Sequence, residues 1–558
     1  MFRRFRHTTI AGTLCALALS SPSIASQAPD IRWGPCEESL VGTPSGVLGD
    51  RLQCGVMNAP LDHVAPDGRT IDVEVVRIRA AHAAEREGVI AFNRGGPGAL
   101  SGKLLRSLAE SWSTTDADDP AHGDKRRLAE RFDLIAVVPR GLRGAGAIRC
   151  VTGLPPRFAY LPTHLDDANW RLVMEEGQAI ADACSAPYQA RYVNTEQHAH
   201  DMDWVRRALG DDRIHIYGIS YGGRVAAWYA SMYPAHAGRL LLDSSMDFTH
   251  DYRAAVRMSL AARQASFVND TVGPLLDDPS RFGLGNDADA VEYAIAGLPD
   301  TLREKWAGRL TDPVRLAAAL RVTKWWRDHP QETVSGMSRL LEAATFSPDP
   351  SLHRRIRWEA IQAVAALYTP PPTRPGFVLG PEGDSVRVIT ACNDVPWLRD
   401  ESDIRWTALS DATRYVAFTG LETLEEVTCS RWGGASARQP DLAVLERAAP
   451  FLLLQSEKDS VTPLQGASFI LDRFANAHML LVKDSAQHAL FNFTTSSCIE
   501  RTASHYLLTG ELPATSSRVL ACDDRFIHPI HALPGPSRPP TTAPVPADRP
   551  APAPHDEL

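Results

Sequence analysis

The sequence has no apolar run long enough to span a membrane comfortably. The nearest approach, Thr9 to Ser20, is short, follows Arg3, Arg4 and Arg6, and is followed by Ser23-Ile24-Ala25. A positive start, an apolar middle and a small-x-small end predict a signal peptide over residues 1–25, with cleavage before Ser26. Stable membrane insertion is therefore not expected. Positive charge is also scarce. The formal net charge is −9, and removing the three leader arginines takes it to about −12. A nucleic-acid partner is excluded on that balance. No Cys-x-x-Cys pair occurs, which argues against zinc or thiol redox chemistry. Neither a metal nor an organic cofactor is expected. No internal repeat is evident.

What is present begins with cysteine. Leaving aside Cys15 in the leader, the chain carries Cys36, Cys54, Cys150, Cys184, Cys392, Cys429, Cys498 and Cys522. An even number in an exported chain predicts disulfides, although eight cysteines admit 105 connectivities. Proximity along the chain favours 36–54, 150–184, 392–429 and 498–522. The stretch Leu533 to Pro554 is dense in proline and predicts an extended tail over residues 529–558. The chain ends His555-Asp556-Glu557-Leu558, which matches a signal for retention in the endoplasmic reticulum. That signal has meaning only in a eukaryote, and an arginine-rich chain with only two glycosylation sequons reads as bacterial. The location expected is secreted or periplasmic, with the reticulum lumen as the alternative.

Seven segments read as buried strands: Ile71–Ile78, Gly88–Phe92, Phe132–Val138, Arg213–Tyr217, Arg239–Leu242, Pro450–Gln455 and His478–Val482. Helical patterns lie between them, so the fold class expected is α/β, with a mostly parallel central sheet. The strand–helix rhythm stops near residue 249 and resumes near 448. The expected organisation is a core in two parts, 26–248 and 448–528, with a mainly helical cap, 249–447, inserted between core strands. Trp306, Trp325, Trp326 and Trp358 in the insertion read as packing residues.

Gly218-Ile219-Ser220-Tyr221-Gly222 spells G-x-S-x-G between a strand-like run and a helix-like run. In that context small residues let the chain turn sharply and expose the serine. A serine nucleophile needs a base, and the base needs an orienting acid. Of eighteen histidines, His488 follows the strand-like run Met479–Val482. Asp459 follows Phe451–Leu454 in a turn-rich loop, and Ser, Asp, His is the chain order of an α/β-hydrolase triad. Asp243, at the end of Arg239–Leu242, is the rival acid. An oxyanion needs backbone N–H donors. Tyr221 supplies one, and the glycine-rich loop Asn93-Arg94-Gly95-Gly96-Pro97-Gly98, which follows the strand Gly88–Phe92, supplies the other. That loop lacks the Lys-Ser/Thr of a phosphate cradle.

The Gly-Gly-Pro-Gly loop resembles that of the α/β-hydrolases grouped as proline iminopeptidases and tripeptidyl aminopeptidases. Asn194–Asp247, Ile389–Asp394 and Pro450–Cys522, with Cys498 and Cys522, are similar to the same family. The resemblance implies Ser220 as nucleophile, Asp459 as acid, His488 as base, and Gly96 and Tyr221 as oxyanion donors. It implies a serine aminopeptidase that acts on peptides with free N-termini and releases single residues or tripeptides. Such an enzyme holds a cationic amine, and Glu359 and Asp394 are the candidate carboxylates. One departure stands out: Val138-Pro139-Arg140-Gly141 has valine where the family usually has aspartate. An esterase or lactone hydrolase on the same triad, and a non-catalytic binding protein of the same fold, are the alternatives.

Overall fold

The computed structural model describes residues 29–154, 166–299, 302, 312–368, 382–415, 421–513 and 517–522. The expected leader and tail, and Trp306, lie outside the described residues. Ten strands form one sheet: β1 (Ile31–Gly34), β2 (Leu52–Pro60), β3 (Thr70–Ile78), β4 (Gly88–Asn93), β5 (Phe132–Val137), β6 (Ile214–Ile219), β7 (Ala237–Asp243), β8 (Phe451–Ser456), β9 (Ala477–Val482) and β10 (Val519–Cys522). Their spatial order is β1-β2-β3-β5-β4-β6-β7-β8-β9-β10. The first three strands, and the β3–β5 pair, are antiparallel. From β5 across to β10 every pairing is parallel.

The hydrophobic pattern explains this layering. All six residues of β5 (FDLIAV) and all six of β8 (FLLLQS) are buried, as expected of strands covered by helices on both faces. The sequence reading missed β1, β2 and β10. The first and last are four residues long, and β2 mixes Gly, Asn and Pro with its apolar residues. These segments become strands through their neighbours' ladders rather than through their own pattern. The parallel register brings the carboxyl ends of four strands level: Asn93 opposite Gly218, Ile219 opposite Asp243, and Asp243 opposite Leu454. A crevice at that edge is where open α/β sheets bind ligands.

Between β7 and β8 the described chain is helical. Its packing is divided. Leu275, Phe282, Leu320, Phe346, Ile356 and Val364 belong to a separate apolar core, against which Trp325 and Trp326 pack part-buried. Helix Glu382–Asp394 instead sends Val386, Ile389 and Cys392 into the core of the sheet. Trp358 departs from the packing role read for it, since 53% of it is exposed. Disulfides join Cys36–Cys54, Cys150–Cys184, Cys392–Cys429 and Cys498–Cys522. The third ties Glu382–Asp394 to helix Leu421–Ser430 within the insertion. No described helix is long and apolar enough to cross a membrane.

Candidate active site

Ser220 caps the helix Tyr221–Met232 with φ 57° and ψ −123°, a conformation that side chains rarely adopt. The turn is clamped from both sides. Ser220 N donates to Asp243 O at 2.9 Å, and Met246 N donates to Ser220 O at 2.9 Å. The glycines are required by close approach. A Cβ on Gly222 would meet Asn93 O at 2.3 Å, and one on Gly95 would meet Ile219 O at 2.2 Å. The loop after β4 therefore lies directly against the serine turn. Asn93 Oδ1 accepts from Gly95 N at 2.9 Å and shapes that loop. Among the described residues, the N–H groups of Gly96 and Tyr221 have no hydrogen-bond acceptor. Two unpaired donors, one on the serine turn and one on the loop packed against it, suit a developing oxyanion.

Asp459 is 1% exposed and follows β8 by three residues. Its Oδ1 accepts from Val461 N at 2.8 Å and Thr462 N at 3.0 Å. Its Oδ2 accepts from Thr462 Oγ1 at 3.0 Å and lies 2.8 Å from His488 Nδ1. The two N–H groups and the hydroxyl fix the carboxylate and aim one lone pair at the ring. Thr462 Oγ1 also reaches Ser244 O at 2.8 Å and lies 3.2 Å from His488 Nδ1. The acid loop is thus pinned to the end of β7. The sequence reading assigned Thr462 no role. Its signal was local: a threonine three residues after an aspartate at a turn.

The structure brings Asp459 and His488 into contact and places Ser220 at the carboxyl end of β6, with β7 between it and β8. Among the described residues, no hydrogen bond joins Ser220 Oγ to the His488 ring. Such contacts are often long in a free enzyme and tighten around substrate. Asp243, the rival acid, is fully buried and points elsewhere. Its carboxylate accepts from Leu490 N and Phe491 N, beyond His488, and makes no hydrogen bond to the ring. Burial pushes that carboxyl up to about 7, with the two N–H groups pulling the other way.

The two candidate amine anchors are both engaged. Glu359 lies in the helix Pro350–Tyr368 and pairs with Arg315 at 3.3 Å. Asp394 is fully buried and accepts from Thr195 N at 2.8 Å and from Thr195 Oγ1. That hydroxyl also contacts the phenol of Tyr221 at 2.5 Å. Burial pushes the Asp394 carboxyl up to about 6, against the pull of Arg224. Beside the Gly96 loop lies a small cavity lined by Asn93, Arg140, Asn194, His198, Tyr221 and Thr390, among others. Arg140, in the loop where Val138 replaces the family aspartate, is spent on structure. It binds both oxygens of buried Asp201 at 2.7 Å and the carbonyls of Pro60 and Leu61. Among the described residues no group of three or more His, Cys, Asp or Glu is placed to hold a metal.

A strained serine between β6 and a buried helix, with an Asp–His pair from the loops after β8 and β9, defines a serine hydrolase of the α/β-hydrolase fold. The α/β-hydrolase family model matches residues 108–320, and the model for TAP-like proteins matches residues 417–519. The two matches support the TAP-like family of α/β-hydrolases. It is 24% identical over 490 residues to a tripeptidyl aminopeptidase of Streptomyces coelicolor, covering 84% of this chain and 83% of that one. It is 25% identical to the serine protease Hip1 of Mycobacterium tuberculosis, covering 88% and 90%. It is also 25% identical to a protein named carboxylesterase B from M. tuberculosis, covering 89% and 91%. Among solved structures, esterase E22 aligns over 82% of this chain and 100% of that chain, at 12% identity and a TM-score of 0.33. Likeness at that score carries no argument.

Proposed function

We propose that this protein is an exported serine aminopeptidase that removes short peptides or single residues from free N-termini. The observation that carries the reading is the Asp459–His488 pair, held at 2.8 Å, together with the strained turn at Ser220. The tripeptidyl aminopeptidase among its relatives supports the peptide substrate. In this mechanism Ser220 Oγ attacks the scissile carbonyl, and His488 Nε2 takes its proton. The N–H groups of Gly96 and Tyr221 receive the oxyanion. His488 then protonates the leaving amine, and Asp459 holds the imidazole in the tautomer with its proton on Nδ1. Water activated by His488 clears the acyl-enzyme. Four disulfides support a location in an oxidising compartment.

A second reading is an esterase on the same triad. It is favoured by the state of the two candidate anchors: Glu359 is paired with Arg315, and Asp394 is fully buried. The test compares chromophore release from free-amine and N-blocked tripeptide and single-residue amides, alongside a simple ester, with Ser220→Ala as control. Cleavage confined to free amines establishes the aminopeptidase, and the preferred length names its type. Cleavage of the ester alone, or indifference to blocking, establishes the esterase.

A further inference from the structure

The histidine loop is held by an arrangement that the triad does not use. Asp484, Ala489 and Asn492 adopt φ of 55°, 67° and 74°, so the chain around His488 crosses the left-handed region three times without glycine. Such residues persist only where their surroundings hold them. The holding groups are side chains. Ala489 N donates to Ser244 Oγ at 3.0 Å, and Leu490 N to Asp243 Oδ1 at 2.9 Å. Phe491 N donates to Asp243 Oδ2 at 2.9 Å, and Asn492 N to Glu500 Oε1 at 2.8 Å. Four successive N–H groups after the histidine thus end on three buried side chains. Asp243 has a second attachment, since its carbonyl accepts the N–H of Ser220 at 2.9 Å.

Resting on the proposed triad, we infer that Asp243 is a positioning residue that fixes the distance between nucleophile and base. Its main chain holds the turn at Ser220, while its carboxylate holds the backbone two and three residues beyond His488. Asp459 orients the ring about its own axis, and Asp243 sets where that ring stands. The rest of the site surrounds this residue without substituting for it. Tyr217 OH gives its shorter bond to Phe491 O, at 2.8 Å, and lies 3.3 Å from Asp243 Oδ2. Glu500 is committed to Asn492 N and to an ion pair with Lys125. Asparagine at position 243 keeps the size, and with its oxygen at the Oδ2 place it still accepts from Phe491 N, but its NH2 then stands at the Oδ1 place, 2.9 Å from the donor Leu490 N. The loop must then shift, and a misplacement near 1 Å costs about 100-fold in rate.

The test uses the full chain and a fluorophosphonate probe, which reads serine reactivity without a known substrate. Saturation kinetics separate the reversible affinity for the probe from the inactivation rate constant. Asp243→Asn is expected to lower the rate constant by about 10- to 100-fold and leave the affinity within about threefold. Ser244→Ala, which removes the Ala489 bond and a 3.3 Å bond to Asp243 Oδ1 but leaves the carboxylate on Leu490 and Phe491, is expected to lower it less. Ile180→Ala, a core cavity far along the chain, is expected to lose thermal stability and keep the rate constant. Asp243→Asn labelling within twofold of the natural protein overturns the inference. So does an equal loss of rate in Ile180→Ala at equal loss of stability. If Ser220→Ala labels like the natural protein, the serine assignment itself falls, and this inference falls with it.

Discussion

Replacing Asp459 by asparagine isolates the electronic role of the acid from its architectural role. The carboxylate has two unlike ends. Oδ1 receives the N–H groups of Val461 and Thr462, whereas Oδ2 faces Thr462 Oγ1 and His488 Nδ1. The amide oxygen of asparagine must take the Oδ1 place, because an amide nitrogen there would face two donors. Its NH2 then faces His488 Nδ1 and forces that atom to accept. The ring proton moves to Nε2, the atom that must take the proton of Ser220. A wrong tautomer in an otherwise intact triad costs about 10⁴-fold in turnover, or about 5 kcal/mol in the barrier. The loop itself loses no backbone hydrogen bond, so the melting temperature should move little. The assay is turnover of the best substrate from the panel above, with thermal unfolding recorded on the same preparation. A loss under tenfold with an unchanged melting curve would refute the assignment of Asp459. A tenfold loss accompanied by collapse of stability would refute the argument about which oxygen the amide replaces.

Other expectations follow from the same geometry. Arg140→Met leaves buried Asp201 without its principal partner and should cost about 3–5 kcal/mol, read as a lower denaturant midpoint. Burial alone would raise the Asp201 carboxyl, but Arg140 and His63 outweigh it and hold it well below the ordinary range. An unchanged midpoint would mean that Asp201 finds another partner. Asp394→Asn tests a carboxyl raised from 3.8 to about 6. The native state holds that proton more tightly than the unfolded state, so the group's contribution to stability is lost as pH rises from about 4 through about 6. The variant should therefore gain stability relative to the natural protein at pH 8 compared with pH 5. The opposite trend would place an unrecognised cation beside Asp394. Removing the Cys392–Cys429 bridge, which closes 37 residues, by paired alanine substitutions should cost about 4 kcal/mol. Equal midpoints before and after would deny the bridge a role in stability.

Where the sequence was informative, the reason is that the relevant physics acts over a few residues. A buried parallel strand must be apolar on both faces, so β4 to β9 were legible one at a time. A serine turn needs small neighbours, so Gly218 to Gly222 marked the elbow without any tertiary knowledge. A longer, turn-rich loop ranked Asp459 above Asp243 as the acid, and the contact with His488 Nδ1 agrees with that ranking. The eight cysteines pair as near neighbours along the chain, where loop closure costs least.

The sequence by itself thus determined the class of chemistry: a serine, a histidine and an acid, each after a strand, with a glycine loop for the oxyanion. Only the tertiary structure decided what the remaining polar residues do. Asp243 ends β7 and Asp459 lies three residues beyond β8, and the turn-rich loop that favoured Asp459 says nothing of what Asp243 holds. Sheet register separates them, because β7 lies beside β6 and presents Asp243 under the loop that β9 sends back. The same holds for Glu359 and Asp394. Their charges are visible in the sequence, but Arg315 and Thr195 arrive from 44 and 199 residues away. A carboxylate's role is set by which donors surround it. In a chain of this length those donors are brought together by packing rather than by spacing.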